Sequence, residues 1–456
     1  MVYTLKSRFL IYLINFLFIL LSNIRNDRLF RWIYTVLAYL AEKLATKDYY
    51  VEKIKWIKRL FDTNHPSLAV TKKILRGTNP HHRKTLIKAA ILNQLLIGTN
   101  KRKEFSERTG MPYPPGFFVI SPSMKCNLKC YGCYAGSYDK RGELSFEEID
   151  STLTQAKEMG MFFCVVSGGE PFFHPRIFDI FRKHNDVVFH VFTNGTLINK
   201  ETCRRLVDVG NIIPAISIEG YEEETDLRRG RGHFGKIMKA MELLRESKIL
   251  FGFSGTLTRR NTEILNSDEF IEFMIDKGCV LGWYFMYVPI GREPNLELMQ
   301  TPEQRGYQYE RLTYLRASKQ ILLADFWHDG PLVGGCIAGG RKYFHINANG
   351  DVEPCVFCHY ATHNIRATPL KEAIFSPMFR SLCSRLPLYD NLLRPCTLVD
   401  NPQVGRDTIT KFGAYFTHEG AEIIFQDLAG EMDEYAQKYA VVADNLWKKY
   451  FPAEKG

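Results

Sequence analysis

A chain of 456 residues, 45% of them hydrophobic, is long enough for two or three domains with sizeable cores and is not a disordered polymer. Its eleven cysteines are odd in number and partly clustered as C-x2-C and C-x3-C, which excludes a small secreted disulfide scaffold and points to a reducing, cytoplasmic setting. The net charge of +10 is concentrated in residues 1–103, where 20 Lys or Arg face 5 Asp or Glu.

That front end is also apolar. Phe9–Ile24 is a run of sixteen residues, almost all apolar, short of the roughly 20 that a spanning helix needs and weakened by Asn15, Ser22 and Asn23. A signal peptide would show a small-residue cleavage site next, whereas Arg25-Asn-Asp-Arg28 follows. A second apolar stretch, Leu29–Leu44, carries Trp32, Tyr34 and Tyr39, and Lys53-Ile-Lys-Trp-Ile-Lys-Arg-Leu60 comes after it. Aromatic and apolar residues interleaved with basic ones suit a helix lying on an anionic bilayer, so the expectation is peripheral attachment to the inner face of a membrane. The plainer alternative is a helical region whose apolar stripes pack on the next domain. Nucleic acid is disfavoured as a partner, because it offers the unbroken run Phe9–Leu21 nowhere to bury its side chains.

Pro112, Pro114, Pro115 and Gly116 mark a linker. Beyond it, apolar runs alternate with amphipathic helices: Phe117–Ser121, Phe162–Ser167, Val187–Phe192, Ile213–Ile218, Ile249–Thr256 and Val280–Val288. Ser145-Phe-Glu-Glu148 is a capping box, and Gly160, Gly210 and Gly278 stand where three helices should end. Six βα units without an antiparallel run predict an α/β fold, a partial (β/α)6 TIM-like barrel, with ligands gathered at the C-terminal ends of its strands. The expected organisation is a basic helical region over 1–111, the barrel over 112–325, a cysteine-rich domain over 326–402 and a helical tail over 403–456.

After the first strand come Cys126, Cys130 and Cys133, spaced C-x3-C-x2-C. Three thiolates from one loop can hold one iron–sulfur cluster and leave one iron open for chemistry. Zinc is the alternative for a short cysteine cluster, but no second C-x2-C or His pair lies nearby. After the second strand stands Ser167-Gly-Gly-Glu-Pro171, where two glycines permit close backbone approach and a carboxylate can accept from an ammonium group.

These two motifs on successive strands resemble the radical S-adenosylmethionine (SAM) superfamily. The resemblance implies a 4Fe–4S cluster on Cys126, Cys130 and Cys133, with SAM chelating its open iron. Gly168, Gly169, Glu170 and Pro171 match the segment that holds the SAM amino group, and Asn194 lies in the strand-end turn Thr193-Asn-Gly195. Ser217 and Glu219 match the ribose-binding position, and Arg229 or Arg231 the arginine that pairs with the SAM carboxylate. On the fifth strand Ser254 and Thr256 share a face, with Asn261 beyond, and they line the SAM pocket or fill the barrel. Tyr284, Met286 and Tyr287 are candidates for adenine stacking or for the substrate wall. Most relatives place an aromatic before the third cysteine. Here that residue is Gly132, so the ring must come from elsewhere.

Past the barrel, Cys336, Gly350 and Cys355 are spaced C-x13-G-x4-C, and Cys358, Cys383 and Cys396 follow. Lys342–Cys355 reads as a hairpin with a turn at Asn349-Gly350. This group resembles the auxiliary-cluster extension of the SPASM or twitch type, although the seven cysteines of the full SPASM pattern are not present. One auxiliary cluster is expected, on Cys336, Cys355, Cys358 and Cys396 with Cys383 in reserve, and structural zinc is the alternative. Cys164, Cys203 and Cys279 fall in strand and helix patterns and should be packed, and Glu419–Tyr450 is an amphipathic helical tail.

The reading is an enzyme that cleaves SAM reductively to a 5′-deoxyadenosyl radical and abstracts hydrogen from a substrate, a membrane-associated lipid or a peptide or protein. A reducing partner such as flavodoxin or ferredoxin is implied, and no catalytic side chain is assigned beyond the cluster. The rivals are a membrane-bound electron carrier or redox sensor without SAM turnover and an RNA-modifying radical enzyme. A carrier would need neither Gly168-Gly169-Glu170 nor Ser217 and Glu219.

Overall fold

A computed structural model describes residues 65–452 except Arg141, together with individual residues between Ile24 and Thr63. Phe9–Leu21, the centre of the expected membrane anchor, lies outside the described residues. No helix among the described residues is long and apolar enough to cross a membrane.

Six of the strands are those read from the apolar runs: β1 (Phe118–Ile120), β2 (Phe163–Val166), β3 (Val188–Thr193), β4 (Ile212–Ser217), β5 (Gly252–Leu257) and β6 (Leu281–Met286). A seventh, β7 (Leu322–Asp325), continues the parallel series beside β6. It escaped the sequence reading because only four residues are extended and a 17-residue helix, Pro302–Ser318, separates it from β6. Two short strands then join the other edge. β8 (His345–Ile346) pairs parallel with β1, and β9 (Val352–Glu353) pairs antiparallel with β8, giving the order β7-β6-β5-β4-β3-β2-β1-β8-β9.

Helices cover the outside in the expected places. Phe146–Glu158 opens with the Ser145–Glu148 capping box, and Gly210 and Gly278 close two later helices in the left-handed conformation. Gly160 also has positive φ, one residue past the Met159 cap.

The described part of the basic front end is a helical layer on the barrel. Its helices run Ser67–Gly77, Pro80–Ile87 and Thr99–Thr109, with a π-helical stretch, Lys88–Gly98, between the last two. Leu86 and Ala89 pack on Val188, Phe163, Ile213 and Leu250, which begin or precede the central strands. Side chains complete the seam: Asn93 Nδ2 donates to Asp186 O at 2.9 Å and Arg102 Nη1 to Gly160 O at 2.8 Å. Over residues 67–109 most apolar side chains are thus covered by protein, at the end of the barrel opposite the motifs, while Leu95 stays exposed.

The β8–β9 hairpin is present, but its turn is wider than an Asn-Gly pair. Five residues separate the strands, and the Asn347 side chain accepts from the N–H groups of Asn349 (2.9 Å) and Asp351 (3.0 Å) to shape the loop. A buried polar chain fastens this hairpin to the barrel. Ser121 Oγ lies 2.8 Å from His345 Nε2, and His345 Nδ1 lies 2.6 Å from Glu353 Oε2. Glu353 Oε1 accepts from Tyr138 (2.8 Å) and Asn347 (3.0 Å). The cysteine-rich extension is therefore tied both to the end of β1 and, through Tyr138, to the segment after the first cysteine loop.

Candidate active site

The C-terminal ends of the strands surround one cavity. Cys126, Cys130 and Cys133 line it together with Gly168, Gly169 and Asn194, and Ser217, Arg229, Ser254 and Thr256 complete its polar rim. None of the three cysteines is in a disulfide. Two donors address the first of them: Leu128 N lies 3.4 Å and Asn194 Nδ2 3.7 Å from Cys126 Sγ. Burial raises the Cys126 thiol pKa, and Glu170, Cys130 and Cys133 add to the rise. Crowding of thiols around Cys126 is relieved by a shared cationic centre, and three sulfurs with N–H donors aimed at one fit an iron–sulfur cluster. Among the described residues no three His, Cys, Asp or Glu side chains converge on the position of a single ion. A cluster, whose irons stand between its ligands, suits a wider spread of donors.

The glycine pair has a steric purpose that the motif alone did not reveal. Gly168 and Gly169 run against the backbone before Cys126, with Gly169 N donating to Ser123 O at 3.0 Å and Glu170 N to Lys125 O at 2.8 Å. A Cβ on Gly169 would stand 2.1 Å from Lys125 O, and Gly168 has φ +104°. The two loops can lie together only without side chains here.

Several expected ligand groups are braces instead. The Glu170 carboxylate faces away from the cavity and accepts from Thr193 Oγ1 (2.8 Å), Asn194 N (2.8 Å) and Phe172 N (3.2 Å). Pro171 is buried behind it at the start of a short 3₁₀ turn. Burial pushes the Glu170 carboxyl from 4.5 to about 7 despite these donors. An acid with a raised folded pKa holds its proton more tightly when folded, so stability falls as pH rises from 4.5 toward about 7. Glu170→Gln is expected to flatten that part of a melting-temperature series, whereas an unchanged slope would assign the pH dependence to another group.

Glu219 is buried as well. Its Oε1 accepts from Arg228 Nη1 (2.6 Å) and from Arg229 Nε (2.9 Å) and Nη2 (2.6 Å), while Oε2 takes Thr256 N at 3.3 Å. Of the two alternatives for the carboxylate-pairing arginine, Arg229 lines the cavity and Arg231 is exposed outside it. Burial opposes the charge of Arg229, but Glu219, with lesser help from Cys130 and Cys133, outweighs it and raises its pKa. Arg228, which the sequence reading passed over, also reaches the cavity and donates to Tyr131 O (3.2 Å) and Gly132 O (3.3 Å) in the cluster loop. Its only signal was adjacency to Arg229 at the end of one helix, Glu222–Arg229.

On β6, alternation puts Trp283 and Phe285 into the cavity, with Met286 and Tyr287 at the strand end. Tyr284 points outward, donating to Leu265 O at 2.6 Å. Asn261 is a buried brace that donates to Glu219 O at 2.9 Å. At Gly132, with φ +62°, a Cβ would meet Tyr287 Cε2 at 2.6 Å. The ring of Tyr287 thus occupies the space that a side chain before the third cysteine would fill.

Below the rim the walls are aromatic. Phe192, Trp283 and Phe285 contact one another at centroid separations of 5.3–5.8 Å, and Phe285–Phe326 and Phe326–Phe357 continue the series at 5.5 and 6.0 Å. Among the described residues the lining's two cations, Arg228 and Arg229, are both paired with Glu219. Phe117, Trp283, Phe326 and Phe357 also line a second cavity, which contains Cys336, Cys355, Cys358 and Cys396. Cys383 lies apart and donates to Gly339 O at 3.2 Å. Burial raises the Cys336 thiol pKa to about 12 and raises that of Cys396 as well. Cys355 is held below the usual thiol range, because hydrogen bonds from Cys358 and Tyr343 outweigh burial. The Tyr360 hydroxyl is buried without a partner, and the charges acting on it are those four cysteines. Four cysteines on one cavity and an orphaned donor fit a bound group that accepts hydrogen bonds. Cys164, Cys203 and Cys279 are packed in the core, as expected.

Comparison with known families agrees with this geometry. Residues 120–263 match the radical SAM superfamily, and residues 336–401 match the SPASM iron–sulfur cluster-binding domain. This chain belongs to the radical SAM superfamily. As a radical SAM enzyme it uses a 4Fe–4S cluster and SAM, with iron–sulfur binding in its SPASM region. The reading as a carrier without SAM turnover is set aside.

Among similar proteins, the AdoMet-dependent heme synthase of Methanosarcina barkeri is 27% identical over 54% of this chain and 78% of its own. The mycofactocin maturase MftC of Mycobacterium tuberculosis is 29% identical over 53% of this chain, which spans 65% of that maturase. In fold the chain is similar to Streptococcus suis SuiB bound to precursor peptide SuiA, with a TM-score of 0.53 at 18% identity over 67% of this chain and 72% of SuiB. It is also similar to anSMEcpe with bound AdoMet, with a TM-score of 0.51 at 20% identity, covering 72% of this chain and 99% of that one.

Proposed function

We infer that this radical SAM enzyme modifies an uncharged side chain of a peptide or protein. The observation that carries the reading is the aromatic chamber between the two cysteine sites, whose lining commits both of its cations to Glu219. Cys126, Cys130 and Cys133 would hold the SAM-binding cluster. The backbone at Gly168 and Gly169, with Asn194, Ser217, Arg229 and Ser254, would frame SAM, and Cys336, Cys355, Cys358 and Cys396 would hold an auxiliary cluster. Reductive cleavage of bound SAM, driven by an external donor such as flavodoxin or ferredoxin, supplies the radical that abstracts hydrogen. The chain's own residues orient the reactants and exclude water. An iron porphyrin would bring propionate carboxylates, and among the described residues the lining has no cation outside the Glu219 pairs to receive them. An apolar or aromatic side chain needs none. Two similar proteins, a mycofactocin maturase and a protein bound to its precursor peptide, point the same way. A lipid substrate draws support only from the apolar front end, outside the described residues.

The test is anaerobic reconstitution followed by an assay for 5′-deoxyadenosine from SAM and dithionite. Wild type is expected to form it, and Cys126→Ala/Cys130→Ala/Cys133→Ala is expected to form none. Supplying peptides with perdeuterated apolar and aromatic side chains should move deuterium into the 5′-deoxyadenosine. Transfer from a deuterated porphyrin or lipid, with none from any peptide, would reverse the substrate assignment while leaving the radical chemistry intact.

A further inference from the structure

Tyr343 is completely buried, two residues before β8. A phenol removed from water needs a partner for its hydroxyl. Here the O–H donates to Cys355 Sγ at 2.8 Å. The ring is held on both sides: it stacks on Phe117 at 5.3 Å with an interplanar angle of 6°, and it meets Phe326 edge-on at 5.7 Å. Both of those rings line the radical-site cavity and the auxiliary cavity. The Tyr343 backbone is fixed too, its N–H donating to Ile337 O at 3.1 Å, one residue beyond Cys336. Packing therefore fixes the direction of this hydroxyl, and the hydroxyl addresses a sulfur.

We propose that the Tyr343 hydroxyl sets the reduction potential of the auxiliary iron–sulfur cluster by donating a hydrogen bond to the sulfur of Cys355. The proposal rests on the assignment of Cys355 as a cluster ligand. Reduction adds negative charge to the cluster and its thiolates, so a fixed donor stabilises the reduced form more than the oxidised form and raises the potential. Tyr343 touches a ligand rather than the reacting atoms, which makes it a positioning residue. Because its ring abuts the wall of the radical chamber, the group tuning the auxiliary site also borders the place where a substrate radical would arise.

The test uses the full chain carrying Cys126→Ala/Cys130→Ala/Cys133→Ala, so that only the auxiliary cluster contributes to the spectrum during a potentiometric titration. Tyr343→Phe keeps the ring and removes the donor. It is expected to weaken the preference for the reduced state about tenfold, which is a negative shift of about 59 mV for a one-electron couple. Replacing Tyr343 with 3-fluorotyrosine, a stronger donor of the same shape, is expected to shift the potential the other way. A loaded Tyr343→Phe protein with the parent potential would overturn the proposal. So would shifts of the same sign in both variants. If Tyr343→Phe fails to retain iron, the fluorotyrosine protein decides: a positive shift supports the proposal and an unchanged potential overturns it. Four-cysteine-dependent iron in the parent, with the same potential in the variants, would sink only the role of Tyr343, whereas a parent with no such iron would remove the ligand assignment itself.

Discussion

Gly169→Ala is expected to lower 5′-deoxyadenosine formation by about 10²-fold or more, because a shift of roughly 1 Å near a reacting centre is enough for such a loss. The methyl group would stand 2.1 Å from Lys125 O, 2.6 Å from the carbonyl carbon behind it and 2.7 Å from the Met124 carbonyl carbon. These are backbone atoms, so no rotamer change relieves the overlap. The two hydrogen bonds from Gly169 N and Glu170 N to Ser123 O and Lys125 O hold the loops together on both sides of the clash. Lys125 immediately precedes Cys126, so the displacement reaches the first cysteine of the cluster loop. Gly235→Ala is the control, since it lies in the helix His233–Glu246 with nothing within 4 Å of an added Cβ. It should turn over like wild type. Chromatographic assay of 5′-deoxyadenosine, with iron counted per chain, checks both, and wild-type turnover in Gly169→Ala would contradict the steric role given to this glycine.

What the sequence revealed was local. A cysteine triplet, a glycine pair and the strand runs are each set by neighbours within a few residues, so their positions could be read directly. The roles of Glu170 and Glu219 could not, because a carboxylate near a strand end looks the same whether it faces a ligand or a ring of protein donors. Thr193, Asn194 and Phe172 decide the first case, and Arg228 and Arg229 the second. The inward face of β6 was misassigned at Tyr284 because its aromatic neighbours, Trp283 and Phe285, satisfy the same pattern one residue out of phase. Pairing of β8 with β1 joins residues more than 220 positions apart, and no local signal carries it. The same distance in sequence hid the link from Ser121 through His345 and Glu353 to Tyr138, which relates the two cysteine sites. Tyr343 was quoted only as part of a hairpin. Its contact with Cys355 depends on the fold of the intervening loop.

Glu219→Gln should lose stability and turnover together. The carboxylate is 1% exposed and neutralises two guanidiniums that are themselves 14% and 10% exposed. The amide keeps the shape but not the charge, and removing one member of a buried ionic group costs about 3 kcal/mol or more. The consequence for chemistry runs through Arg228, whose Nε and Nη2 donate to Tyr131 O and Gly132 O, the two carbonyls just before Cys133. Freed from Glu219, Arg228 no longer holds that stretch at one distance from β4, and the third cysteine loses its fixed place relative to the other two. A direct contact between Glu219 and the SAM ribose would have a different signature: a raised KM for SAM with the melting temperature of the SAM-free protein unchanged. The clamp predicts a lower melting temperature without SAM, less iron retained on the radical-site cysteines, and a fall in kcat for SAM cleavage. Thermal unfolding of the SAM-free protein is the deciding measurement, because only the clamp makes Glu219 matter before SAM arrives.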